Sequence, residues 1–173
     1  MDIAETLRSY DGKRVAPFRA VADAVRGAPE TAVPQLLDFA ASDEAALQVG
    51  ATWVVKHLAE RGDPPDGEWA AQTIDLLERM DAPHAILHVL QTLPYMEIPA
   101  GRQQALRRVL KRLIRSRRVF VRAWAYNGLG VLVAADPELR DEVEVLFEAA
   151  AATESAAVRV RIRHARAALG TGP

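Results

Sequence analysis

His57, His84, His88 and His164 are the four histidines of the chain, and all fall in segments with helical spacing, as do Trp53 and Trp124. Imidazole rings can ligate a metal, shuttle a proton or hydrogen-bond a ligand, and indole rings offer a stacking surface. His84 and His88 lie one helical turn apart, so they could share a metal, with His57 as a third ligand from the preceding segment. Ala85 follows the first histidine where a metalloprotease carries Glu, and Pro83 places the pair near a helix start; no metal or cofactor site is assigned. A second feature is the run from Arg102 to Arg122, which holds Arg107, Arg108, Lys111, Arg112, Arg115, Arg117 and Arg118 and no acid. Arg108, Lys111, Arg112 and Arg115 share helical spacing, while Leu106, Val109, Leu110, Leu113 and Ile114 supply an apolar face. With Arg159, Arg161, Arg163 and Arg166 further on, these cations could contact phosphates without reading sequence; alternatively they form a solvated helix face. Catalytic signatures are missing. There is no Gly-rich phosphate loop, Gly-x-Ser-x-Gly or dinucleotide fingerprint, and Asp75, Glu78, Glu142 and Glu144 form no recognisable pair.

The background against which these residues stand is that of a globular chain. Of 173 residues, 50% are hydrophobic, 26% charged and 6% aromatic, with no cysteine. This excludes disulfides, thiolate nucleophiles, zinc fingers and Fe–S clusters, and argues against wholesale disorder. The start Met1-Asp2-Ile3-Ala4-Glu5 lacks the basic and apolar regions of a signal peptide, and no apolar run approaches the roughly 20 residues of a membrane-spanning helix. A cytoplasmic, single-domain protein without membrane partners is the expectation. The net charge of −1 conceals an asymmetry: residues 1–100 carry 8 Lys/Arg against 16 Asp/Glu, and residues 101–173 carry 14 against 7. An acidic half and a basic half would suit a charged partner, or head-to-tail self-association.

Strand signals are nearly absent, and helix punctuation is frequent. The pattern predicts ten helices, at 2–9, 13–26, 30–41, 43–61, 67–80, 82–93, 99–115, 118–134, 137–152 and 154–168. Gly27-Ala28-Pro29, the loop from Gly62 to Gly67, Pro94 and Pro99, and Asp136-Pro137 separate them, with Ser42, Asp66 and Ser116 at the N-cap positions. The even-numbered segments repeat. Aligned from Leu47, Ala82, Val121 and Val158, they carry Ala51, Ile86, Ala125 and Ile162 four residues on, and Val54, Val89, Gly128 and Ala165 seven on. Eleven residues on stand Leu58, Leu93, Leu132 and Leu169; a weaker copy from Arg14 gives Phe18, Val21 and Val25. These offsets mark one stripe of a helix, so each unit is a hairpin whose second helix buries the same face.

The run Val121-Arg122-Ala123-Trp124-Ala125-Tyr126-Asn127-Gly128-Leu129-Gly130 resembles the second-helix motif of HEAT repeats, and Val158-Arg159 begins another partial copy. Asn127 stands where such motifs carry a small apolar residue. The resemblance implies an all-α superhelix, a HEAT-like solenoid of about five hairpins, whose second helices line a concave surface. Offset 6 then faces the groove and gives Trp53, His88, Asn127 and His164. Offsets 2 and 10 add His84 and His57, and Trp124 borders the row. Such a row suits a peptide groove; the alternative is that the tryptophans pack between repeats and the histidines are ordinary surface residues. The reading is a non-enzymatic scaffold binding a protein or peptide on its concave face. The alternative is a nucleic-acid-binding module using Arg107, Arg108, Lys111, Arg112, Arg115, Arg118 and Arg122. HEAT-like alkylpurine DNA glycosylases offer an enzymatic version, in which Trp53 and Trp124 would stand for their aromatics. The catalytic Asp of that family has no counterpart beside Trp124, since no acid lies between Glu97 and Asp136.

Overall fold

The apolar stripes decide the fold, and in a computed structural model that describes residues 1–170 they are sealed. Leu47, Ala51, Val54 and Leu58 are buried, as are Ile86, Val89 and Leu93, Val121, Ala125, Gly128 and Leu132, and Val158, Ile162 and Ala165. Ala82 and Leu169, at the ends of their stripes, are half-buried.

Among the described residues the chain forms ten α-helices and no strand: α1 (Ile3–Arg8), α2 (Ala16–Val25), α3 (Pro29–Ala40), α4 (Ala45–Ala59), α5 (Gly67–Arg79), α6 (Pro83–Thr92), α7 (Gln103–Leu113), α8 (Val119–Ala135), α9 (Arg140–Thr153) and α10 (Ala156–Ala168). Short 3₁₀ turns stand at Leu93–Tyr95, Ala100–Arg102 and Pro137–Leu139. None of these helices is long and apolar enough to cross a membrane. The helix starts differ from the sequence reading where side chains compete for the backbone. Asp11 accepts from the Lys13 and Arg14 amides, holding a turn that delays α2 to Ala16. Ser42 and Ser116 are not N-caps: each lies two residues too early, accepting from the amides of Glu44 and Arg118, which occupy the cap positions. Asp66 does hold the cap position of α5. Asp136 accepts from the Glu138 amide, so the segment it opens begins as a 3₁₀ turn through Pro137 before α9.

Packing divides the chain into two compact units, Met1–Met96 and Glu97–Pro173. In the first, α4 packs against α1, α2, α3 and α6, while α5 packs on α3 and α6. In the second, α8 packs against α7, α9 and α10. The two central helices explain themselves. The α8 sequence has one charged residue, Arg122, and apolar residues on every side, and such a helix must be surrounded. Two glycines permit the closest approaches. A Cβ on Gly50 of α4 would stand 2.9 Å from Leu7 Cδ2 and Phe18 Cε1, and one on Gly130 of α8 would stand 2.8 Å from Ala165 Cβ of α10.

Candidate functional site

Three residues of the expected groove row converge within the first unit. Trp53 on α4 and His84 and His88 on α6 border one cavity of about 430 Å³, lined also by Tyr10, Val15, Phe18 and Val49. The elements set this geometry. Glycine at position 50 brings Phe18 of α2 against α4, and the side-by-side packing of α4 and α6 sets His88 across from Val49 and Thr52. The aromatic rings form a ladder. Tyr10 and Phe18 lie 4.4 Å apart, Phe18 and Trp53 5.8 Å apart, and Trp53 stacks on His57 at 4.8 Å. Lys56 Nζ stands 5.7 Å from the Trp53 ring.

His88 does not face an open groove, as offset 6 suggested: it is 9% exposed. The reason is that α6 packs against both α4 and α5, so its buried arc is wider than one stripe. Burial, reinforced by the Lys56 charge, pushes the His88 imidazole down from 6.5 to about 3, so the ring is neutral. Its Nδ1 lies 3.2 Å from Thr52 Oγ1. The Thr52 hydroxyl hydrogen is committed to the Gln48 carbonyl oxygen at 2.7 Å, so Oγ1 must accept from His88, and Nδ1 is the protonated nitrogen. A bond to the Val49 backbone opposes the shift, and burial outweighs it. His84 is exposed. His57, half-buried, accepts from Arg61 Nε through its own Nε2 at 3.0 Å; burial first, then the Arg61 charge, lowers its affinity for a proton. His57 is thereby turned to Trp53 and Arg61 rather than to the other two rings. Among the described residues no three His, Asp or Glu side chains gather as metal ligands.

The rest of the row lies in the second unit. Trp124 and Asn127 are half-buried on α8, and His164 is exposed on α10. The Arg161 guanidinium lies 4.0 Å from the Trp124 ring centroid, a cation–π contact that occupies one indole face.

The basic patch separates into two groups. Arg107 and Lys111 both bind Glu142, the latter at 3.0 Å, and these bonds, Lys111's first, hold the Glu142 carboxyl below its ordinary value. Arg122 makes a two-bond pair with Glu154, at 2.9 and 3.0 Å, and also donates to the Ser116 carbonyl. Arg108 and Arg112 are exposed but have partners. Arg115, Arg117 and Arg118, around the α7–α8 turn, are exposed and paired with no acid among the described residues.

Sequence reasoning missed Tyr10 and Thr52, and assigned Phe18 only to the core. Tyr10 lies in a connection and Thr52 beside the stripe, where helical periodicity carries no signal. A second cavity, about 340 Å³, was also missed; Trp69, Pro64, Asp63 and Glu30 border it, around what reads in sequence as a plain loop. The chain matches no family model, no curated protein and no solved structure.

Proposed function

We propose that the chain is a non-enzymatic, HEAT-like α-solenoid of about five hairpins that binds a protein or peptide partner through the face of its second helices. The observation that carries this reading is the meeting of Trp53, His84 and His88 at one cavity of about 430 Å³. That volume falls within the range of ligand pockets, and the lining combines aromatic walls with a few polar groups, as such pockets do. No nucleophile–base pair stands beside it: the one strongly perturbed group, His88, is bonded to a threonine that already donates to its own helix. This supports recognition rather than turnover, and a cytoplasmic scaffold is the setting we propose.

The test is a random-peptide selection on the immobilised chain, followed by affinity measurement on Trp53→Ala. Selected peptides should bind the variant at least ten times more weakly, with its helical circular dichroism retained. Undiminished binding to the folded variant would remove the site.

A second reading is a nucleic-acid-binding module. Arg115, Arg117 and Arg118, exposed and paired with no acid among the described residues, favour it, while the engagement of Arg107, Lys111 and Arg122 with Glu142 and Glu154 reduces the charge available to phosphates.

A further inference from the structure

We infer that the Trp53–His88 cavity receives one neutral aromatic side chain of the bound peptide that brings its own hydrogen-bond donor, the indole of a tryptophan or the phenol of a tyrosine. This rests on the peptide-binding reading of that face and specifies what it selects.

Size comes first. A cavity of roughly 150 Å³ lined by aliphatic and aromatic groups is enough to hold benzene. About 430 Å³ therefore accommodates a one- or two-ring side chain together with part of the backbone that carries it. Aromatic surface from Tyr10, Phe18 and Trp53 provides edge and face contacts for a flat ring. Charge comes second. Among the described residues no Asp or Glu borders the cavity, and Lys56 stands 5.7 Å from its Trp53 wall, so a cationic side chain would lose its hydration without gaining a counter-charge. An arginine or lysine is thereby disfavoured.

The polar group comes third. With Nδ1–H of His88 given to Thr52, the remaining ring nitrogen, Nε2, can only accept. The ring is buried and borders the cavity. A phenylalanine or leucine side chain would cover that acceptor and leave it unsatisfied; an indole N–H or phenol O–H would meet it. The Thr52 hydroxyl, through its bond to the Gln48 carbonyl, fixes which imidazole nitrogen is presented. Thr52 is therefore a positioning residue for the specificity of the cavity.

The experiment is an NMR titration of the full chain with N-acetyl-tryptophanamide, N-acetyl-tyrosinamide and N-acetyl-phenylalaninamide, following the Trp53 indole N–H and the His88 ring. The first two should give saturable shifts at these groups, with affinities about five- to ten-fold above the phenylalanine analogue, the effect of one neutral hydrogen bond. In His88→Leu the three affinities should become equal. Ala46 also borders the cavity and is half-buried on α4, so Ala46→Phe, which fills the space, should abolish all three while circular dichroism and thermal midpoint show an intact fold. Equal affinities in the unmodified chain, a preference that survives His88→Leu, shifts centred elsewhere, or undiminished binding to Ala46→Phe would each overturn the inference. The two proposals fail separately. Selected peptides that bind but lack an aromatic donor and are not displaced by N-acetyl-tryptophanamide would overturn this inference alone. Saturable binding of the amides with no peptide selected at all would count against the peptide-binding reading alone.

Discussion

Replacing His88 with leucine should change how the stability of the chain depends on pH, and the sign and size follow from the site. In the unfolded chain the imidazole takes a proton near 6.5; in the folded chain, where it is buried, only near about 3. Between those values the unfolded state binds nearly one proton more, so stability falls as pH falls. Each pH unit within that window is worth up to about 1.4 kcal/mol, and a change from about pH 7 to about pH 4.5 amounts to about 2–3 kcal/mol. Other groups titrate in the same range. His57 is also depressed, and Asp11, Glu44 and Glu142 are held low by their hydrogen bonds, so their contributions fade as the solution becomes acidic. All four are common to both proteins and cancel in the comparison. Leucine leaves the Thr52 bond to the Gln48 carbonyl in place, so the substitution removes the titration without stranding the hydroxyl hydrogen. The assay is urea unfolding of the unmodified chain and His88→Leu at the two pH values. The unmodified chain should lose about 2–3 kcal/mol more than the variant. Parallel losses would mean that the His88 ring is solvated or already paired with a counter-charge.

Two other substitutions probe separate parts of the structure. Gly130→Ala should destabilise the chain by about 1–3 kcal/mol through overpacking, because the added methyl would stand 2.8 Å from Ala165 Cβ on the neighbouring helix; urea unfolding checks it, and an unchanged midpoint would contradict the α8–α10 approach. The double variant Arg115→Glu, Arg118→Glu should weaken any binding to single- or double-stranded DNA and flatten its dependence on salt, as read by fluorescence anisotropy. Absence of DNA binding by the unmodified chain at low salt would remove the nucleic-acid reading.

The stripes were legible because burial in a helix repeats at three and four residues, and Ala51, Ala125, Leu93 and Leu132 are all fully buried. The same arithmetic misplaced His88. Periodicity identifies one face, but α6 packs against two helices, α4 and α5, and which flank of a helix a second neighbour covers is a tertiary matter. The α4 helix shows it too: Thr52, outside the stripe, is 2% exposed. The basic run could be counted but not weighed. Whether Arg107 and Arg122 are available depends on Glu142 and Glu154, acids 35 and 32 residues further along the chain, brought near by folding alone. Tyr10 entered the cavity from a connection, where no periodic pattern exists to mark it. Helix ends were displaced wherever Asp11, Ser42 or Ser116 satisfied a backbone amide ahead of the helix.

The central claim, that the cavity beside Trp53 selects an aromatic donor, is tested most directly by a crystal structure of the chain with N-acetyl-tryptophanamide. The indole should lie among Tyr10, Phe18 and Trp53 with its N–H at about 3 Å from His88 Nε2. An empty cavity with the ligand bound elsewhere, or an indole whose N–H points away from His88, would contradict it.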